Sequence, residues 1–114
     1  MPYKKIEGEK LPISVKRQIV ALCGDYKRRE SEILRDRRRR EVLLQYKAIN
    51  ELIKASADEV CPYESEDVKR ALIISLGEIR GYNSSPLCMM MSAAAYYRRK
   101  ELLTRKIAER LNLL

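Results

Sequence analysis

The side chains that could do chemistry in this chain are thiols, carboxylates and, above all, guanidinium groups. Its 114 residues include no histidine, which excludes histidine-based acid–base catalysis, Cys–His nucleophile pairs and histidine metal sites. The three cysteines, Cys23, Cys61 and Cys88, are widely spaced and match no zinc-binding pattern. Their odd number argues against a disulfide framework, so we expect free thiols packed as small apolar groups in a reducing, cytoplasmic compartment. The sequence predicts a protein that is not an enzyme and that needs neither a metal nor another cofactor.

The carboxylates Glu64, Glu66 and Asp67 form an acidic cluster, but with no histidine nearby they do not predict a metal site. Two of them follow Ser65, where negative charge stabilises the start of a helix. No apolar stretch is long enough to span a membrane, and no secretory segment follows the first lysines, so we expect no membrane association.

Charge is distributed unevenly along the chain. Twenty-four basic residues against 16 acidic ones give a net charge of +8. Residues 27–41 and 92–114 each carry +4, whereas residues 56–79 carry −4. A basic chain without catalytic groups most simply binds something anionic. The first basic block contains an uninterrupted run that could contact phosphates, either of RNA or of DNA: Arg37, Arg38, Arg39 and Arg40.

Helical periodicity dominates the first half of the chain. Residues 1–12 are predicted to form a flexible arm, and residues 13–56 a long helical segment for dimerisation or partner binding. Between residues 27 and 41 only Ile33 and Leu34 are apolar. The segment is therefore either one helix or two helices broken near residues 28–36. Pairs such as Glu32–Arg35 would support helix there, and one helix is slightly favoured because no Gly or Pro interrupts residues 25–61.

The second half carries clear capping signals. Ser65 predicts a helix over residues 66–80 that stops at Gly81, and Ser85-Pro86 predicts a single helical turn. Ser92 predicts a last helix over residues 93–113, with Tyr96 on its apolar side. No strand alternation is found, so the predicted fold class is all-α, with residues 65–114 forming a helix-turn-helix-like DNA-binding unit.

The last helix has features of a DNA recognition helix. Small residues at its start allow close approach to a groove, and the run at residues 96–100, YYRRK, adds aromatic and basic groups. Seven residues are candidate nucleic-acid contacts: Ser92, Ala94, Tyr97, Arg98, Arg99, Lys100 and Arg105.

Residues 92–100 (SAAAYYRRK), continuing to residues 107–111 (IAERL), resemble the recognition helix of ArpU/RinA-type phage regulators. That family is similar to sigma-factor region four and activates late phage genes. The resemblance is closest over residues 92–111 and looser elsewhere. It implies a phage or mobile-element transcriptional regulator that binds double-stranded DNA, with RNA polymerase or a second copy of the chain as a partner.

Two other interpretations fit the same residues. The chain could be a helical adaptor whose charges meet an acidic protein partner, or an RNA-binding protein that uses the arginine-rich residues 35–40. Binding to random duplex DNA at low salt separates the adaptor from the regulator.

Overall fold

The computed structural model describes residues 11–114, and within that range the chain folds into five α-helices and no β-strand. The all-α prediction is confirmed. The helices are α1 (Ile13–Gly24), α2 (Tyr26–Arg35), α3 (Arg40–Val60), α4 (Glu66–Gly77) and α5 (Ala93–Arg110).

The first half of the chain contains two breaks. Helix α1 ends at Gly24, and α2 ends where Asp36 takes a left-handed conformation (φ 52°), which aspartate tolerates better than most residues. Helix α3 then runs back along α2, so the two form a helical hairpin. A helical hairpin is present, as one alternative predicted, and the slightly favoured single helix is wrong. The predicted division into two helices is also incomplete, because three helices are found, with breaks at Asp25 and at residues 36–39.

The predicted arm at residues 1–12 lies mostly outside the described residues. At its end, Leu11 is only 6% exposed and belongs to the core. Residue 11 is therefore not part of a loose arm.

Helix α4 starts as predicted but ends earlier. The Ser65 hydroxyl accepts a hydrogen bond from the Val68 amide at 3.3 Å. The helix stops at Gly77, and Ile79 then takes the left-handed conformation (φ 55°) that reverses the chain. Gly81 is therefore not the helix stop. Gly77 has a different role: because it has no side chain, α4 can approach α1 closely. A Cβ at this position would lie 2.4 Å from the carbonyl carbon of Cys23 in α1.

The connection from α4 to α5 contains two short 3₁₀ turns, Tyr82–Ser84 and Pro86–Met89. The Ser92 hydroxyl accepts a hydrogen bond from the Ala95 amide at 3.2 Å, which confirms the predicted cap of the last helix. On that helix Tyr96, Leu103 and Ile107 are fully buried, as their spacing predicts.

The core is shared by both halves of the chain. Its fully buried members include Ile19 of α1, Ile53 of α3, Leu72 of α4 and Leu103 of α5. Helix α5 packs mainly along α3 and also contacts α1. Residues 13–56 and 65–114 therefore do not have separate cores.

Two of the three thiols are buried, and this predicts their reactivity. Burial raises the pKa of Cys23 to about 12 and also raises the pKa of Cys61. A chromogenic disulfide reagent reacts quickly only with a thiolate. At about pH 8 we therefore expect it to label half-buried Cys88 and to leave Cys23 and Cys61 unlabelled until urea unfolds the protein. Fast labelling of Cys23 in the native protein would contradict the structure.

The same burial makes stability depend on pH. In the unfolded chain the pKa of Cys23 returns to its ordinary 9.0, so unfolding releases a proton at high pH. The stabilisation is fully present below pH 9 and is lost as the pH rises towards 12. The free energy of unfolding should therefore fall over that range, more steeply than in a Cys23→Ala protein.

Candidate nucleic-acid interface

The start of α5 is open to solvent, as a recognition helix requires. Ser92, Ala94 and Arg98 are exposed, and Arg98 forms no ion pair within residues 11–114. Tyr97 is about half exposed (51%), and its hydroxyl accepts a hydrogen bond from the Tyr82 amide at 3.1 Å. These four predicted contacts share one accessible end of the helix.

Two other predicted contacts on α5 are used inside the protein. Arg99 forms an ion pair with Glu64 of the α3–α4 connection, with 2.9 Å between Nη1 and Oε1. The Lys100 ammonium donates a hydrogen bond to the Arg80 carbonyl at 2.9 Å and lies 4.9 Å from the ring centre of Tyr96. Both cations therefore stabilise the position of α5, and a ligand would have to compete with those contacts.

The rest of the C-terminal basic block is similarly engaged. The side chain of Arg105 is only 11% exposed and lies 3.8 Å from a carboxylate oxygen of Glu101. Lys106 and Arg110 both reach Glu59 of α3, at 3.7 and 3.0 Å. Carboxylates from the acidic residues 56–79 thus neutralise much of the positive charge of the last helix.

The arginine run lies at the turn of the α2–α3 hairpin. We call residues 35–40 the hairpin tip. Every residue from 34 to 41 is exposed. Arg38 bonds through Nε to Glu32 at 2.9 Å, and this hydrogen bond lowers the pKa of the Glu32 carboxyl group. Arg37, Arg39 and Arg40 form no ion pair in the part of the chain that the structure describes.

Two arginines of the same basic block do not belong to this surface. Arg28 bonds to the carboxylate of Asp25 at 3.1 Å and to the hydroxyl of Tyr46 at 3.2 Å. Arg29 is 3% exposed, and its Nε bonds to the side-chain oxygen of Asn50 at 2.6 Å. The basic block of residues 27–41 therefore divides into arginines held by contacts inside the protein and an exposed tip in which Arg38 alone of the four-arginine run is paired.

Arg35 also belongs to the tip, and the predicted RNA-binding segment, residues 35–40, already includes it. Arg35 ends α2 and is exposed beside the run, from which it is separated by Asp36 alone. This fifth arginine, two positions before the run, extends the same basic stretch.

The described residues contain no group of three His, Cys, Asp or Glu side chains close enough to hold a metal ion. None of the helices within residues 11–114 has the length and apolar character needed to cross a membrane. Comparison of the chain with protein-family models, with curated proteins and with solved structures finds no match in any of the three.

Proposed function

We propose that this protein binds nucleic acid and that the hairpin tip makes its main contacts with the phosphate backbone. One observation carries the proposal: Arg37, Arg39 and Arg40 are exposed together, and no carboxylate within residues 11–114 pairs with them. Elsewhere in the molecule most arginines are paired or buried.

Arginine is well suited to this contact. Its planar guanidinium group donates two parallel hydrogen bonds to a phosphate and is more weakly hydrated than an ammonium group. The net charge of +8 attracts a polyanion before contact is made. Backbone contacts of this kind bind tightly at low salt and carry little sequence information.

A narrower proposal adds duplex DNA and transcriptional regulation, as the resemblance to ArpU/RinA-type regulators implies. Its support is the open first part of α5, where Ser92, Ala94, Tyr97 and Arg98 are accessible. Because Arg99 and Lys100 are held by Glu64 and the Arg80 carbonyl, α5 supplies fewer free cations than the hairpin tip. We therefore assign α5 a secondary contact, through Arg98.

The test compares two variants that lose the same charge. Arg37→Gln with Arg39→Gln removes two tip cations, and Lys16→Gln with Arg17→Gln removes two exposed cations of α1. Affinity for labelled duplexes of DNA and of RNA is measured by fluorescence anisotropy over a series of salt concentrations. The tip variant should lower the log–log salt slope by about 2 and weaken binding by a few tens of fold near 0.1 M salt, because each phosphate contact contributes about 0.9 to the slope.

The α1 variant should bind nearly as well as the wild type. Equal losses in the two variants would mean that only net charge matters and would reject the hairpin tip as the site. Absence of wild-type binding to either duplex at low salt would reject the function itself. Tighter binding to DNA, weakened further by Arg98→Gln, supports the regulator proposal, and tighter binding to RNA contradicts it.

A further inference from the structure

A second surface lies beside the hairpin tip, in a groove of about 610 Å³ between α2 and α3 that Arg70 of α4 closes at one side. Tyr26 and Asn50 lie on its floor and are almost fully buried. Leu34 lies at its edge and is 85% exposed. An apolar side chain as exposed as Leu34, next to a groove, contributes nothing to the core and is available to a ligand.

The groove follows the two antiparallel helices in register. On α2 its lining residues are spaced as on one helical face, from Tyr26 through Glu30 to Leu34, and on α3 they run from Lys47 to Lys54. Eight residues of helix span about 12 Å. The groove therefore has the length of two to three turns of a third helix laid between α2 and α3.

Its charged rim is mainly basic. The charged residues that line the groove are Lys27, Lys47, Lys54, Arg70, Glu30 and Glu51. Arg70 is neutralised by Glu30 at 2.8 Å. Lys47 is exposed and forms no ion pair with any residue in the range 11–114. Lys27 pairs with Glu78, one residue beyond α4, and Lys54 pairs with Glu66 of α4, yet both keep about half of their side chains exposed, 53% and 51%.

We propose that this groove binds a short amphipathic helix of a partner protein, with leucine-like side chains against Leu34 and Tyr26 and acidic side chains against the basic rim. Charge complementarity selects this occupant. A second copy of the chain would bring another +8 and the same basic rim, and a groove about 12 Å long buries too little surface for a stable dimer. A nucleic acid would satisfy the lysines but leave the apolar edge without a partner.

The test uses a labelled peptide of about 14 residues, with leucine at every third or fourth position and glutamate on the opposite face. A scrambled peptide of the same composition has the same charge but no apolar stripe. Both are titrated with the full chain and followed by fluorescence anisotropy. The amphipathic peptide should bind at least tenfold more tightly than the scrambled one, a ratio that corresponds to about one anchoring side chain.

Two pairs of variants locate the site. Leu34→Ser should weaken binding of the amphipathic peptide by about tenfold. Met89→Ser, at an 88% exposed position on the α4–α5 connection, should leave this binding unchanged. Lys47→Glu should weaken binding of the peptide more than Lys16→Glu does. Leu34 is exposed, so its substitution should leave the thermal unfolding temperature unchanged.

Three outcomes would overturn the proposal: no binding of the amphipathic peptide, equal binding of the scrambled peptide, or equal losses in Leu34→Ser and Met89→Ser. If Leu34→Ser weakens duplex binding while the peptide does not bind, the groove belongs to the nucleic-acid surface. The proposals for the groove and for the hairpin tip can be rejected independently, because Arg37→Gln with Arg39→Gln leaves Leu34 at the apolar edge of the groove unchanged.

Discussion

The Gly77→Ala protein is expected to be less stable than the wild type by roughly 3 kcal/mol. Gly77 lies in the last turn of α4, where alanine would ordinarily stabilise a helix by about 0.5–1 kcal/mol. Here the added Cβ would lie 2.4 Å from the carbonyl carbon of Cys23 and 2.5 Å from the amide nitrogen of Gly24. Both are backbone atoms, so α1 and α4 must move apart. Urea denaturation followed by circular dichroism measures the loss.

Two other glycines serve as matched controls. At Gly81 an added Cβ would meet only the Tyr97 hydroxyl, at 3.8 Å, and at Gly24 it would meet the Gly77 carbonyl oxygen at 3.4 Å. Gly81→Ala should leave the free energy of unfolding nearly unchanged, and Gly24→Ala should change it far less than Gly77→Ala does. A Gly77→Ala protein as stable as the wild type would show that α1 and α4 do not cross at this point.

Local signals in the sequence predicted the starts of the later helices correctly. Ser65 and Ser92 cap α4 and α5, and Pro86 opens the 3₁₀ turn between them. A cap is a contact between residues two or three positions apart, so its evidence is contained in a short stretch of sequence. The end of α4 was missed because the left-handed residue that follows the helix is Ile79 rather than a glycine, and an isoleucine is not a local stop signal.

The turn between α2 and α3 was harder to predict for a related reason. Residues 27–41 are good helix formers, and Glu32 with Arg35 has helical spacing. In the folded chain Glu32 pairs instead with Arg38, six residues away, across the turn that Asp36 makes. Packing of α2 against α3 outweighs the local preference, and a single sequence does not show that packing.

The sequence was enough to predict where the positive charge of the candidate site lies. It was not enough to predict which of those cations lack an ion-pair partner in the folded protein. Counting residues identified both basic blocks. The pairing of Arg99 with Glu64 spans 35 residues and that of Arg110 with Glu59 spans an even longer stretch. Which cations remain unpaired is thus a property of the tertiary fold, and for this reason the contact that we propose lies mainly at the hairpin tip rather than on α5.

Arg29→Met is expected to lower the free energy of unfolding by roughly 3 kcal/mol, because it leaves two acceptors without a donor in or near the core. The Arg29 guanidinium donates to the Asn50 side-chain oxygen on α3 and to the Leu22 carbonyl near the end of α1. Asn50 in turn donates to the Tyr26 carbonyl at 3.3 Å. One side chain thereby joins α1, α2 and α3. Arg29→Lys should be intermediate, since an ammonium group lacks the guanidinium fork that reaches both acceptors.

Stability and binding should respond in opposite ways within this one basic block. Arg29→Met should lower the midpoint of urea denaturation and leave the affinity of the folded protein for duplex DNA unchanged, because Arg29 is only 3% exposed. Arg39→Gln should weaken binding and leave the denaturation midpoint in place, because its side chain is exposed at the hairpin tip. If Arg29→Met weakened binding as much as Arg39→Gln did under fully native conditions, burial of Arg29 would be refuted. The two arginines, ten positions apart, therefore test whether the fold or the charge count decides where an anion binds.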